Sequence, residues 1–251
     1  RYQPQVDLAT GRIVRLDASA YWDRLDGGLF PPAPFVRAQG ATADVAPTGW
    51  WVVREACRQV RMWRVIAGDG SPGVSVLLSI HEFCRATLAD ELAAALAAAD
   101  IEPAALEVRI AESTAAIADR EIVAQVRALG AVVAVADFGK RDVSLARLQR
   151  LEVDALFLDA SIAAGLGRDR GGMLAARIAS TVGHDLGLTI GANGVAMAQQ
   201  ADALRRIGVE RGQGDAFGAR LCPQTVATLL TGGATLVTRG VGAVSGPAPG
   251  R

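Results

Sequence analysis

A chain of 251 residues with 51% hydrophobic content supports one large core or two small domains. Lys+Arg and Asp+Glu each number 26, so the net charge is zero, which argues against a general nucleic-acid or anionic-membrane surface. No apolar window reaches the roughly 18 residues of a membrane span, so no membrane contact by this domain is expected.

In chain order, Tyr2–Val6 and Arg12–Leu16 flank Asp7-Leu-Ala-Thr-Gly11, a hairpin signal for two antiparallel strands. The second strand leads into Asp17-Ala18-Ser19. Residues 23–48 are rich in Gly, Pro and Asp and read as loop, with a short helix near Pro34–Arg37. Thr48 is placed to cap a helix over Gly49–Ala67, in which Trp50, Trp51 and Trp63 are read as packing anchors. Val74–Ile80 is a strand, and Thr87–Ala99 a helix with Leu88, Leu92 and Leu96 on one face. Leu106–Ile110 is a strand, Ala118–Leu129 a helix that stops at Gly130, and Ala131–Ala136 a strand that releases Asp137 into a turn. Helices over Val143–Leu151, Met173–Leu186, Ala198–Ile207 and Pro223–Leu230 alternate with strands over Ala155–Asp159, Leu188–Ala192 and Val209–Gln213.

This alternation predicts parallel strands with right-handed crossovers. The number of units, and the lack of a Gly-x-Gly-x-x-Gly loop after the first strand, favour a closed barrel over an open sheet. The barrel domain is expected over 1–231, with a flexible Gly/Pro-rich tail over 232–251. The abrupt start at Arg1-Tyr-Gln-Pro suggests the C-terminal part of a longer protein. Cys57, Cys84 and Cys222 form no CxxC and are expected as idle thiols of a reducing, cytoplasmic compartment. His81 and His184 are too few for a histidine-rich metal site.

In a barrel, chemistry sits at the C-terminal strand ends. Those ends carry Asp17, Leu77, Arg109, Asp137, Phe157 with Asp159, Asn193 and Gln213. The set is poor for metal-ion hydrolysis, which needs converging carboxylates, and Arg109 would repel a cation. Asp137 reads as a rim residue or as a general base without an evident partner.

At this point the residues carry a resemblance. The chain resembles the EAL domain family, phosphodiesterases that cut the bacterial second messenger cyclic di-GMP. The matching segments are Tyr2–Val14, Val53–Val60, Asp137-Phe-Gly139, Val153-Asp-Ala-Leu156, Arg211-Gly-Gln-Gly214 and Phe217-Gly218. The resemblance implies an α/β fold, a modified TIM-like (β/α)8 barrel with an antiparallel first strand. It also implies departures at the site. The Glu-Ala-Leu signature stands as Asp17-Ala18-Ser19, and the phosphate-contacting arginine as Tyr21. An Asn ligand stands as Leu77, a metal-binding Glu as Arg109, and the first Asp of Asp-Asp-Phe-Gly as Ala136 beside Asp137. The catalytic lysine position is Phe157, two further glutamates are Asn193 and Ala196, and Gln213 is kept. Ala219-Arg220 replaces an Arg-Pro pair, and Lys140-Arg-Asp-Val-Ser144 replaces a loop tied to dimerisation, so a homodimer is not assumed.

From these departures follow three expectations. The first is a degenerate, catalytically inactive bacterial signalling or scaffold module that is no enzyme and acts through a protein partner. The second is a cyclic di-GMP receptor that does not cleave, with Tyr21, Arg109, Asp137, Phe157 and Phe217 as nucleotide contacts and phosphate help from Lys140 and Arg141. The third is residual phosphodiesterase activity on Asp17 and Asp137. No cofactor is expected beyond a possible cyclic di-GMP ligand, and Mg²⁺ is not expected.

Overall fold

The computed structural model describes residues 1–23, 29–30, 46–140, 145–166 and 170–231. The helix expected near Pro34–Arg37, residues 141–144 and the tail 232–251 lie outside them.

Eight strands close a barrel because their alternate residues face opposite ways: branched aliphatics outward under the helices, polar and small side chains inward. The strands are β1 (Tyr2–Asp7), β2 (Ile13–Ala18), β5 (Gly73–Leu78), β6 (Leu106–Ala111), β7 (Val132–Phe138), β8 (Ala155–Leu158), β9 (Thr189–Ala192) and β10 (Arg211–Gln213). Around the barrel the order is β1-β10-β9-β8-β7-β6-β5-β2. Strand β1 is antiparallel to both of its neighbours, and the other pairs are parallel. The expected barrel with an antiparallel first strand is therefore the observed one. A two-residue ribbon, β3 (Trp22–Asp23) with β4 (Leu29–Phe30), falls in a stretch expected to be loop.

The β1–β2 connection is fixed locally. The carboxylate of Asp7 accepts hydrogen bonds from the backbone N–H groups of Ala9 and Thr10, at 3.1 and 2.7 Å. Helix α1 (Ala46–Ala67) starts before Thr48, which is therefore a helical residue and no cap. Trp50 and Trp63 are buried, and Trp63 meets Tyr2 edge-on at 4.9 Å, a contact worth about 1 kcal/mol. Trp51 is 55% exposed, contrary to the anchor role expected for it. It shares a face with the exposed Arg58 and Met62, about two and three turns along the helix.

Helix α3 (Leu88–Ala99) buries Leu88, Leu92 and Leu96 as expected. Helix α5 (Arg120–Ala128) starts later than expected because Asp119 caps it, accepting from the N–H of Glu121. Gly130, at φ 90°, ends that turn in the left-handed region. Other ends shift by one to three residues. Ile80 opens helix α2 (Ile80–Phe83) rather than closing β5, because Ser79 and Glu82 form a capping box. Asp159 leaves β8 to cap helix α7 (Ala160–Gly165). Helix α4 (Glu112–Ala115) follows β6, and helices α6 (Leu145–Leu151), α8 (Arg170–Asp185), α9 (Ala198–Arg206) and α10 (Pro223–Thr231) complete the outer layer. No described helix is long and apolar enough to cross a membrane. The three cysteines are free thiols.

Inside the barrel, the lower layer is an ionic knot. Glu107 accepts from Arg211 at 2.8 Å and stands 3.3 Å from Arg15 Nε. Arg15 also donates to the backbone carbonyls of Ala104 and Ala105. Burial pulls the Arg15 guanidinium below its ordinary pKa, with Glu107 opposing that shift. Above it Gln5 and Ser75 are hydrogen-bonded. The knot fills the barrel interior at the end opposite the C-terminal strand ends.

Candidate functional site

Two residues above the knot on β6 comes Arg109, which the pleat places on the same inner face as Glu107. Its guanidinium is the centre of the mouth. Nη1 donates to Asp17 Oδ1 at 3.2 Å and to Gln213 Oε1 at 2.9 Å, and Nη2 donates to Asn193 Oδ1 at 3.0 Å. Below it lies the ring of Phe157, with the guanidinium carbon 4.0 Å from the ring centroid. The ring has room because position 191 is glycine: a Cβ there would stand 2.3 Å from Phe157 Cε1. Gln213 in turn donates to Gln3 at 3.2 Å, and Ser75 reaches Asp17 at 3.4 Å. The network thus draws on five strands and the residue just after β9.

Asp137 is set apart from this hub. The β7–β8 register slips between Val135 and Phe138, so Asp137 sits in a bulge, with φ 58°. A bulge re-aims a side chain at a sheet end. The carboxylate accepts a long hydrogen bond, 3.4 Å, from the Asn193 amide, whose oxygen holds Arg109. Asp137 and Arg109 therefore communicate through Asn193, without an ion pair of their own among the described contacts.

Above the hub the mouth opens as a pocket of about 370 Å³. Of the expected site residues, Asp17, Ser19, Leu77, Arg109, Ala136, Asp137, Asn193, Ala196 and Gln213 line it. Ala18 and Tyr21 instead line a side pocket of about 240 Å³ with Trp51 and Glu55, which Ser19 also borders. Ala18 turns away from the mouth because it alternates with Asp17 along β2. Phe157 is fully buried beneath Arg109, and Phe217 is buried against Gly212, so neither ring is open for stacking on a base. Of the cations expected to help, Lys140 is drawn to Asp159, Nζ to Oδ2 3.7 Å, and Arg141 lies outside the described residues. Gln3 and Asp215 line the mouth without having been singled out from the sequence, and Arg220 adds a second cation. Gln3 carries a readable signal, two residues before Gln5 on a strand whose other face is apolar. Asp215 lies in a loop and carries none.

The donor set does not fit a divalent cation. Among the described residues, no three His, Cys, Asp or Glu side chains come together. Asp17 is already paired with a buried guanidinium, and Asp137 stands apart on its bulge.

With this geometry in hand, the comparisons are specific. The EAL domain profile matches residues 1–220. MucR of Pseudomonas aeruginosa, named a bifunctional diguanylate cyclase/cyclic di-GMP phosphodiesterase, is 32% identical over 220 residues, 86% of this chain and 32% of MucR. NbdA of the same organism, named a cyclic di-GMP phosphodiesterase, is 32% identical over 219 residues, 86% of this chain and 28% of NbdA. The chain thus spans about a third of the length of these relatives. A solved structure described as PaMucR phosphodiesterase, c-di-GMP complex, superposes with a TM-score of 0.83 at 30% identity, covering 90% of this chain and 92% of that one. These relatives overturn the expectation of a non-enzyme: proteins this similar carry the name of a phosphodiesterase.

Proposed function

The chain belongs to the EAL domain family, and from that premise we propose that its barrel mouth takes cyclic di-GMP, the compound named for its phosphodiesterase relatives. The domain thereby serves bacterial cyclic di-GMP signalling. The observation that carries this reading is the open pocket at the strand ends, lined by the Arg109 hub, Asp137 and Arg220. The ionic knot fills the opposite end of the barrel interior, which supports the strand-end mouth as the ligand site.

A protein partner docking at this mouth would need Leu77, Phe157 and Arg109 as one exposed surface. Phe157 and Arg109 are buried and only Leu77 is exposed, which favours the ligand over a protein at this mouth. The planar guanidinium of Arg220 is suited to a phosphate oxygen. Gln3 and Asn193 offer amide groups to the polar edge of a guanine.

Titration calorimetry with cyclic di-GMP tests the proposal. Micromolar or tighter binding supports it, and the lack of heat up to high micromolar ligand overturns it. Chromatography of the same samples for linear dinucleotide reads turnover directly.

A further inference from the structure

We infer that Arg109 is a built-in cation: its guanidinium gathers the donors of the mouth as a bound metal ion would, and the ligand is taken up without a divalent ion. Only the second half of this statement rests on the cyclic di-GMP reading.

Three observations carry it. Arg109 comes from β6, yet it binds Asp17 of β2, Gln213 of β10 and Asn193 after β9, cross-linking strands from around the barrel. Its side chain is 4% exposed, so the positive charge is desolvated and, among the described residues, is held by these three acceptors. The Phe157 ring fills the space beneath the guanidinium plane. An apolar face there suits a flat, weakly hydrated cation and offers nothing to a hydrated metal ion. A divalent ion drawn to Asp17 would have to displace Arg109 or endure its repulsion.

The test has two arms. The first is thermal melting of the wild-type chain in millimolar Mn²⁺ and in EDTA. The same Tm in both is expected, and a rise in Mn²⁺ overturns the inference, because an ion bound only to the folded state raises Tm by mass action. The second arm is calorimetry with cyclic di-GMP in the same two buffers. Equal affinity is expected, and a gain of about tenfold in Mn²⁺ overturns the claim of metal-free uptake. If neither buffer gives heat, the cyclic di-GMP reading falls, while the melting arm still decides the role of Arg109. Arg109→Glu sets a second carboxylate beside Asp17 in place of the guanidinium and is expected to acquire a Mn²⁺-dependent rise in Tm. A variant as indifferent to Mn²⁺ as the wild type contradicts the assignment of the cation position to Arg109.

Discussion

Arg109 Nη1 lies 3.2 Å from Asp17 Oδ1, and the two side chains are only 4% and 17% exposed. Breaking such a pair from one side leaves a charge without its counter-ion in a dry site, which costs more than the pair contributes. Asp17→Asn is therefore expected to lower unfolding stability by about 3 kcal/mol. Asp17→Asn with Arg109→Met, which removes both charges, should recover most of the loss. Urea denaturation of the two variants measures this, and a double variant less stable than the single one contradicts the pairing argument.

Gly191 makes the platform under Arg109 feasible. A Cβ at this position would fall 2.3 Å from Phe157 Cε1, closer than packing allows. Gly191→Ala is expected to cost about 1–3 kcal/mol by overpacking the interior. Adding Phe157→Leu should return part of that cost, and equal losses with and without it would show that the ring is not the obstacle.

Asp137 faces the pocket at φ 58°, a conformation that Asn accepts and Ala does not accept readily. Asp137→Asn should keep the melting temperature and remove a carboxylate from the neighbourhood of an anionic ligand. At contact distance in water such a repulsion is about 1 kcal/mol, so cyclic di-GMP binding should tighten by about fivefold. Calorimetry on the variant reads the change, and weaker binding would mean that the carboxylate contacts the ligand favourably.

Thiol chemistry follows burial. Cys57 is buried in α1, and that burial pushes its thiol up to about 11, while the Thr225 hydroxyl pulls the Cys222 thiol down. A thiol with a raised folded pKa adds stability that is complete below its ordinary value of 9.0 and is lost as pH climbs toward about 11. Iodoacetamide at mildly alkaline pH should label Cys84 and Cys222 in the native protein and reach Cys57 only after denaturation. Mass spectrometry of the native adducts checks this, and early labelling of Cys57 would contradict the packing of α1.

The barrel was legible because strand and helix alternate with strand-length apolar runs, and because Gly130 and the Leu88-Leu92-Leu96 stripe are local signals. The short helices α2, α4 and α7 were not, since four to six residues show no helical period. The polar interior was half legible. Glu107 and Arg109, Arg15 and Asp17, and Arg211 and Gln213 each stand two apart on a strand, which places both on one face. Which partner each takes across the barrel depends on strand order and register, so the Arg109–Asp17–Asn193–Gln213 hub exists only in the closed barrel and not in any one strand. Trp51 was misplaced by residue type alone. Its spacing to Arg58 and Met62 already marked the exposed stripe of α1.

The most direct measurement of the mouth as a ligand site is the affinity of Ala196→Trp for cyclic di-GMP relative to the wild-type chain. Ala196 is exposed at the pocket edge, so an indole there fills the mouth without disturbing the core. A loss of at least about tenfold in affinity at unchanged Tm is the predicted result. Equal affinity in the two proteins would place the ligand elsewhere and contradict the account.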